Sequence, residues 1–215
     1  PTQVHVKRPA GAQPVCSDRY FSERELGDAP RTREDLSPEF WRGFVALFRR
    51  LRADGSLAEA FPEECFEAPY PVDVNMESLG YALQAEVPGG PWPLEAEPLP
   101  PELVILDTIE FVGRHVSLVT ERGHHSYGNH DHLYAFDREA GFQDYRQSVN
   151  RRLRRCQHPY ELQENGQVSR LVGEVAGEVL RTDLRTSDEE LDRLLDQAIR
   201  EFLNPDPEAR QSALE

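Results

Sequence analysis

The segment that most constrains this fold is Pro101–Val116, PELVILDTIEFVGRHV, the most continuously apolar run in the chain. Wound as a helix over 102–116, it places Val104, Ile105, Leu106, Ile109, Phe111, Val112 and Val116 in nearly every direction. A helix apolar almost all round must be buried, so the rest of the domain has to pack around this one. Asp107, Glu110 and Arg114 interrupt the apolar surface in one narrow stripe, because spacings of three and four bring residues onto one face. That stripe is either an exposed Glu110–Arg114 pair or the wall of a cleft. With His115 at its end, it supplies the candidate catalytic residues Asp107, Glu110, Arg114 and His115.

Immediately downstream lies the densest group of metal-capable side chains, ERGHHSYGNHDHLYAF. Four of the seven histidines fall between His124 and His132. The segment reads as a loop whose His130-x-His132 part is extended. Side chains two apart on an extended chain share a side, so these imidazoles could grip zinc if another ligand were close. His125, His130 and His132 are the candidate metal ligands, with Asp107, Glu110, Asp131 and Asp137 as carboxylate partners. The sequence carries no HExxH motif and no cysteine pair, so loop histidines without metal are the plainer expectation. Read this way the chain needs no cofactor, and a divalent metal such as zinc is the alternative.

The flanking segments have readable patterns. Ser37 caps a helix over 38–53 that has Pro38 in its first turn and Gly55 as its stop. Phe40, Trp41, Phe44, Val45, Leu47, Phe48 and Leu51 form its core face. Residues 57–72 read as irregular and acidic, and a second helix is expected over 74–87 with Asp73 as its cap. The proline- and glycine-rich loop from Pro88 should be pinned by Trp92. Asp137 caps a long helix over 138–156 with an apolar stripe of Phe142, Tyr145, Val149, Leu153 and Cys156. Arg151, Arg154 and Arg155 lie opposite, either as a solvated exterior or as a docking face for phosphate or an acidic partner. Residues 160–172 read as a β-hairpin around Asn165-Gly166, and this unit resembles the wing of a winged-helix module in shape alone. Ser187-Asp188-Glu189-Glu190 is a capping box that opens a helix to Leu203.

The fold class is therefore α+β and predominantly helical. The reading divides the chain into a tail over 1–18, a core domain over 19–181 containing the 160–172 hairpin, and a helical connector over 182–215. The last residues start a helix the chain does not finish, so a further C-terminal domain is expected.

Charge and cysteine usage narrow the class. A net charge of −15 opposes general nucleic-acid or anionic-membrane binding, because the averaged field repels phosphate. No apolar run approaches the roughly 20 residues needed to cross a bilayer. Three scattered cysteines build neither a disulfide framework nor a CxxC knuckle, and reduced thiols in a cytoplasmic protein are the simplest expectation. No Walker loop, Rossmann fingerprint or serine-hydrolase elbow is present.

Several strings resemble the AbiJ N-terminal domain group, specifically its fourth subtype. They are YFSERE (Tyr20–Glu25), SPEFWRGFVAL (Ser37–Leu47), ILDTIEFVGRHV (Ile105–Val116), FDREAGFQDYRQSVNR (Phe136–Arg151), YELQENGQVSRL (Tyr160–Leu171) and FLNPDPEARQSALE (Phe202–Glu215). The resemblance implies the N-terminal sensor or regulatory module of a bacterial abortive-infection, anti-phage protein. It also implies that a C-terminal HEPN-type ribonuclease domain follows, and the role expected of this module is to restrain that domain and answer a phage-derived trigger. It supplies no catalytic residue for this fragment. Arg152 and His158 do have the spacing of the HEPN arginine–histidine pair, but an arginine-rich run produces that spacing easily. The alternatives are a metal-dependent hydrolase or nuclease using the His124–His132 cluster with Asp107 or Glu110, and a homo-oligomerisation scaffold.

Overall fold

The computed structural model describes residues 21–27, 30–33, 35–171, 191–194 and 197. The expected boundary at residue 18, most of the connector over 182–215 and the start of its capped helix lie outside the described residues. Positions 191–194 and 197, inside that expected helix, are helical. The chain divides into two units, Pro1–Pro30 and Arg31–Glu215. Among its described residues the first has the short helix α1 (Phe21–Leu26), with the Arg24 guanidinium over the Phe21 ring.

The second unit runs α2 (Pro38–Ala53), β1 (Pro62–Glu64), β2 (Pro71–Val74), α3 (Met76–Glu86), α4 (Glu102–His115), β3 (Leu118–His125), β4 (His130–Asp137), α5 (Arg138–Arg155), β5 (Tyr160–Leu162) and β6 (Val168–Arg170). Of the described residues 45% are helical and 19% strand, so helix dominates a mixed architecture. Among the described residues the strands form three separate antiparallel hairpins, β1–β2, β3–β4 and β5–β6. Only the last was expected from sequence. The other two replace segments read as irregular chain and as a histidine loop, and they create the candidate site.

Helix α2 starts and ends for local reasons. The Ser37 hydroxyl accepts from the Phe40 N–H at 3.2 Å, and Pro38 occupies the first turn, where its missing donor is not needed. Gly55 stops the helix at φ +69°, and a Cβ there would stand 2.8 Å from Leu133 on β4. The end of α2 thus fits directly beneath the histidine hairpin. Its seven apolar face residues are all buried.

Helix α4 is the hub its composition requires. Ile105, Leu106, Thr108, Ile109, Phe111, Val112 and Gly113 are buried around it. On one side the Tyr145 hydroxyl of α5 donates to the Ile109 carbonyl at 2.8 Å, and the Tyr145 ring lies over Gly113. On another side Phe61, immediately before β1, stacks on Phe111 and tilts against His115. Burying a phenylalanine contributes roughly 2–3 kcal/mol, so Phe61 anchors the first hairpin to the hub. Helix α5 begins where Asp137 accepts from the Ala140 N–H at 2.9 Å.

Two local expectations change. Helix α3 starts at Met76 with Asn75 as its cap, accepting from Ser78 N–H at 2.8 Å; Asp73 lies on β2 instead. Pairing of residues 71–74 with 62–64 takes Val74 into a strand, which moves the helix start by two residues. The loop after α3 is pinned as expected, with Trp92 over Gly80 and edge-on to Phe48.

Candidate metal centre

The hairpin β3–β4 sorts its histidines by register. His125 is paired directly with His130, Gly123 with His132, and His124 with Asp131. Side chains alternate across a strand, so His125, His130, His132 and Tyr134 share one face. His124 projects from the other face, where it meets Asp131 at 3.1 Å in an exposed pair. His124 thus stands apart from the other three.

The face bearing three imidazoles turns toward the β1–β2 hairpin, and there it meets Cys65. Ligand-capable atoms of Cys65, His125, His130 and His132 all lie within 4.8 Å of one another. Cys65 Sγ is 3.9 Å from His125 Nδ1, which is 3.4 Å from His130 Nε2. A tetrahedral zinc with Zn–N about 2.0–2.1 Å and Zn–S about 2.3 Å separates its ligands by roughly 3.3–3.6 Å. The 3.4 Å His125–His130 spacing matches such an edge, the 3.9 Å sulfur contact is slightly longer, and the set as a whole is looser, within 4.8 Å.

The far side of each ring is also engaged. His125 turns Nε2 to the Glu67 carboxylate at 3.3 Å. His130 holds Nδ1 at 3.0 Å from the Gly128 carbonyl, and His132 holds Nδ1 at 3.4 Å from the Tyr134 hydroxyl. With those nitrogens carrying the protons, His125 Nδ1 and His130 Nε2 turn lone pairs toward one another, and His132 Nε2 keeps its lone pair free among the described residues. Metal-bound histidines regularly have such an outer partner, which fixes the tautomer and ring orientation. The thiol is held as well, since Cys65 N–H donates to the Tyr70 carbonyl at 3.0 Å and Glu67 N–H to Cys65 Sγ at 3.4 Å.

Two observations distinguish this arrangement from an ordinary histidine cluster. His132 is only 4% exposed, and its Nε2 is a buried side-chain atom with no hydrogen-bond partner among the described residues. An unmatched buried polar atom costs about 1–3 kcal/mol, so its orientation calls for a reason. Burial, followed by the charges of His125 and His130, holds its pKa below the usual histidine value. Its neutral form is the one that binds metal. Second, a Cβ on Gly128 would overlap the His130 ring, 2.6 Å from Nδ1, and stand 3.1 Å from His125 Nδ1. The turn between the strands therefore excludes a side chain where the rings converge.

The remaining sequence candidates lie elsewhere. Glu110 accepts from Val168 N–H of β6 at 2.8 Å and from Arg114 at 3.3 Å, and Arg114 also reaches Glu86 at 3.8 Å. His115 Nδ1 lies 2.8 Å from the Phe111 carbonyl. Asp107 is exposed, its carboxyl raised first by desolvation and then by Glu110. None of Asp107, Glu110, Arg114 and His115 enters the four-residue cluster, and neither Asp131 nor Asp137 does. The fourth ligand-capable residue is Cys65; three scattered cysteines suggest only reduced thiols, and the fold brings this one beside His125 across 60 residues of sequence.

The basic face and the arginine–histidine pair are also placed. Arg155 is exposed, with Arg151 and Arg154 half-buried on α5. Arg152 turns inward, donating to the carbonyls of Gly43 at 3.1 Å and Ser148 at 2.7 Å. His158 is fully buried, accepting from Ser37 N–H at 3.2 Å through Nε2 and facing the Arg33 carbonyl at 3.0 Å through Nδ1. With both ring nitrogens committed to backbone, His158 ties the chain before α2 to the end of α5.

No protein-family model, curated protein or solved structure matches this chain.

Proposed function

We propose that this domain is a zinc-binding, non-catalytic sensor or regulatory module. The observation that carries the reading is the convergence of Cys65, His125, His130 and His132 from two hairpins, together with a His132 Nε2 that is buried and has no hydrogen-bond partner among the described residues. Mixed thiolate and imidazole donors suit zinc far better than magnesium or calcium, which take oxygen ligands. Four protein ligands complete a tetrahedron and leave no position for an activated water, the arrangement of structural zinc sites. A hydrolase built on the same histidines would need an open position and a carboxylate base, and neither Glu110, bonded to Val168 N–H, nor the exposed Asp107 belongs to the cluster.

The biological setting rests on the resemblance to the AbiJ N-terminal group. We place the module in the cytoplasm, in an abortive-infection protein, where it restrains a C-terminal HEPN-type ribonuclease domain and answers a phage-derived trigger. The β5–β6 hairpin after α5 is its wing-like unit. No described helix is long and apolar enough to cross a membrane.

Two measurements test the halves of this reading separately. Zinc analysis of the purified domain should give about one ion per chain, and chelation should lower its melting temperature, since a ligand present at 100 times its Kd stabilises by about 2.7 kcal/mol. Less than about 0.2 zinc per chain, with melting indifferent to chelator, removes the metal. Expression of this fragment should be harmless to cells; toxicity from the fragment alone removes the restraining role.

A further inference from the structure

The ligand set is asymmetric. All three imidazoles come from one hairpin, β3–β4, and they retain each other's company whatever happens to the metal. The sole ligand from β1–β2 is Cys65, at the mouth of the 65–70 turn. That turn sits at the protein surface: Cys65 is half-buried, and its neighbour Phe66 is fully exposed. One sulfur is therefore the only ligand joining the turn to the histidine hairpin.

That sulfur is also the only ligand of the four that an ordinary cellular oxidant attacks readily. Bound to zinc it is a thiolate, the form that reacts with peroxides. The other described cysteine is a poor competitor. Burial pushes the Cys156 thiol up, which keeps it protonated. The aromatic rings of Tyr70, His132 and Tyr134 pack beside the site, with centroids 5.4 Å apart for Tyr70–His132 and 4.8 Å for Tyr70–Tyr134. Those contacts remain when the sulfur is lost, so the hairpin need not unfold.

Resting on the zinc reading above, we propose that Cys65 is a peroxide-sensitive latch, whose oxidation detaches the 65–70 turn from the metal and makes the zinc exchangeable. The Cys65 thiolate attacks the O–O bond of hydrogen peroxide. Sulfur gains one oxygen to become the sulfenic acid, and the second oxygen leaves as hydroxide, which takes a proton to give water. Sulfur is oxidised by two electrons and the peroxide reduced by two. The sulfenic acid has lost the anionic donor, so zinc is left on three imidazoles and solvent. The module then reports oxidative conditions through its metal, and a thiol reductant reverses the change.

The test compares zinc-loaded wild type with Cys65→His, which can keep four ligands while removing the oxidisable one, and with Cys156→Ser. Zinc transfer to a chromogenic chelator is followed with and without hydrogen peroxide, and the site of oxidation is found by peptide mass spectrometry. Peroxide should speed transfer at least about tenfold in wild type and Cys156→Ser, with a thiol reductant restoring the slow rate. Cys65→His should hold zinc and show no peroxide response. Equal acceleration in Cys65→His, or oxidation of wild type at Cys65 without faster transfer, overturns the latch while leaving the zinc site standing. Wild type that carries no zinc before peroxide is added overturns the zinc site itself, and the latch with it.

Discussion

His125 Nδ1 and His130 Nε2 face each other at 3.4 Å across the first rung of the β3–β4 hairpin. That distance is an edge of a zinc tetrahedron, and each ring's second nitrogen already has a partner, Glu67 for His125 and the Gly128 carbonyl for His130. Strand register and a four-residue turn thus hold two candidate ligands at the spacing an ion would need. His132, two residues along the same strand, would supply a third ligand, and Cys65 is the one candidate brought from another part of the chain.

The turn itself is a sensitive point. Gly128→Ala would put a Cβ into the His130 ring, a rigid group with no flexible end to yield. Zinc affinity should fall by about 10–100-fold, as measured by competition with a chelator, while far-UV circular dichroism stays at the wild-type value. Unchanged affinity in Gly128→Ala would show that the rings do not meet at a metal in the way their spacing indicates.

The outer partner of His125 gives a gentler test. Glu67→Gln keeps the shape of the side chain but removes the charge that orients the imidazole through Nε2. Glu67 is partly solvent-exposed, so the loss should sit at the low end of outer-partner effects, about tenfold in zinc affinity. Titration of the apo proteins with zinc under a competing chelator reads this directly, and the apo melting temperatures should coincide.

A third prediction concerns the frame that holds the hairpin. Gly141 on α5 lies against the backbone that leads from α4 into β3, and a Cβ there would be 2.5 Å from Ser117 Cα. Backbone cannot rotate away as a side-chain end can. Gly141→Ala should destabilise the domain by about 3 kcal/mol or more, the upper part of the overpacking range, in urea unfolding. A change under 1 kcal/mol would mean that α5 and the start of β3 are not so closely apposed.

His158 predicts a pH dependence. Its pKa in the folded protein is lowered, by desolvation first, while in the unfolded chain it titrates near 6.5. The unfolded state therefore takes up the proton first as pH falls. The contribution of neutral His158 is complete above about pH 6.5, and it declines as pH drops toward the lowered folded value. The slope is at most about 1.4 kcal/mol per pH unit. Unfolding free energies of wild type and His158→Gln, both in chelator, should diverge in slope as pH falls below about 6.5. Parallel curves would place the ring's titration elsewhere.

The chain announces its helices far more clearly than its site. The stripe from Phe40 to Leu51, the Ser37 cap and the apolar circumference of 102–116 are local patterns, so periodicity and capping chemistry suffice to read them. The Asn165-Gly166 turn is equally local. The β3–β4 hairpin escapes because its strands are written in Glu, Arg and His, and its turn carries Gly128-Asn129 in place of the usual Asn-Gly order. The irregular reading of 57–72 fails for a related reason, since β1 has three exposed residues and no alternation at all. Cys65 is harder still. Nothing near it repeats, and its place beside His125 exists only because Phe61 is seated on α4 and two unrecognised hairpins face one another. The signal available in sequence is that three clustered histidines would need a further donor to hold a metal, and cysteine is as good a candidate for it as the nearby carboxylates.

The central claim is that Cys65, His125, His130 and His132 close around one tetrahedral metal ion, and cobalt(II) substitution tests it most directly. Cobalt(II) takes up the geometry its ligands impose, and a thiolate ligand adds a near-ultraviolet charge-transfer band to the visible spectrum. The account predicts about one cobalt per chain with intense visible bands of tetrahedral type, a sulfur charge-transfer band that disappears in Cys65→Ser, and displacement of the cobalt by zinc. Weak octahedral bands, or a spectrum that is the same in wild type and Cys65→Ser, would contradict it.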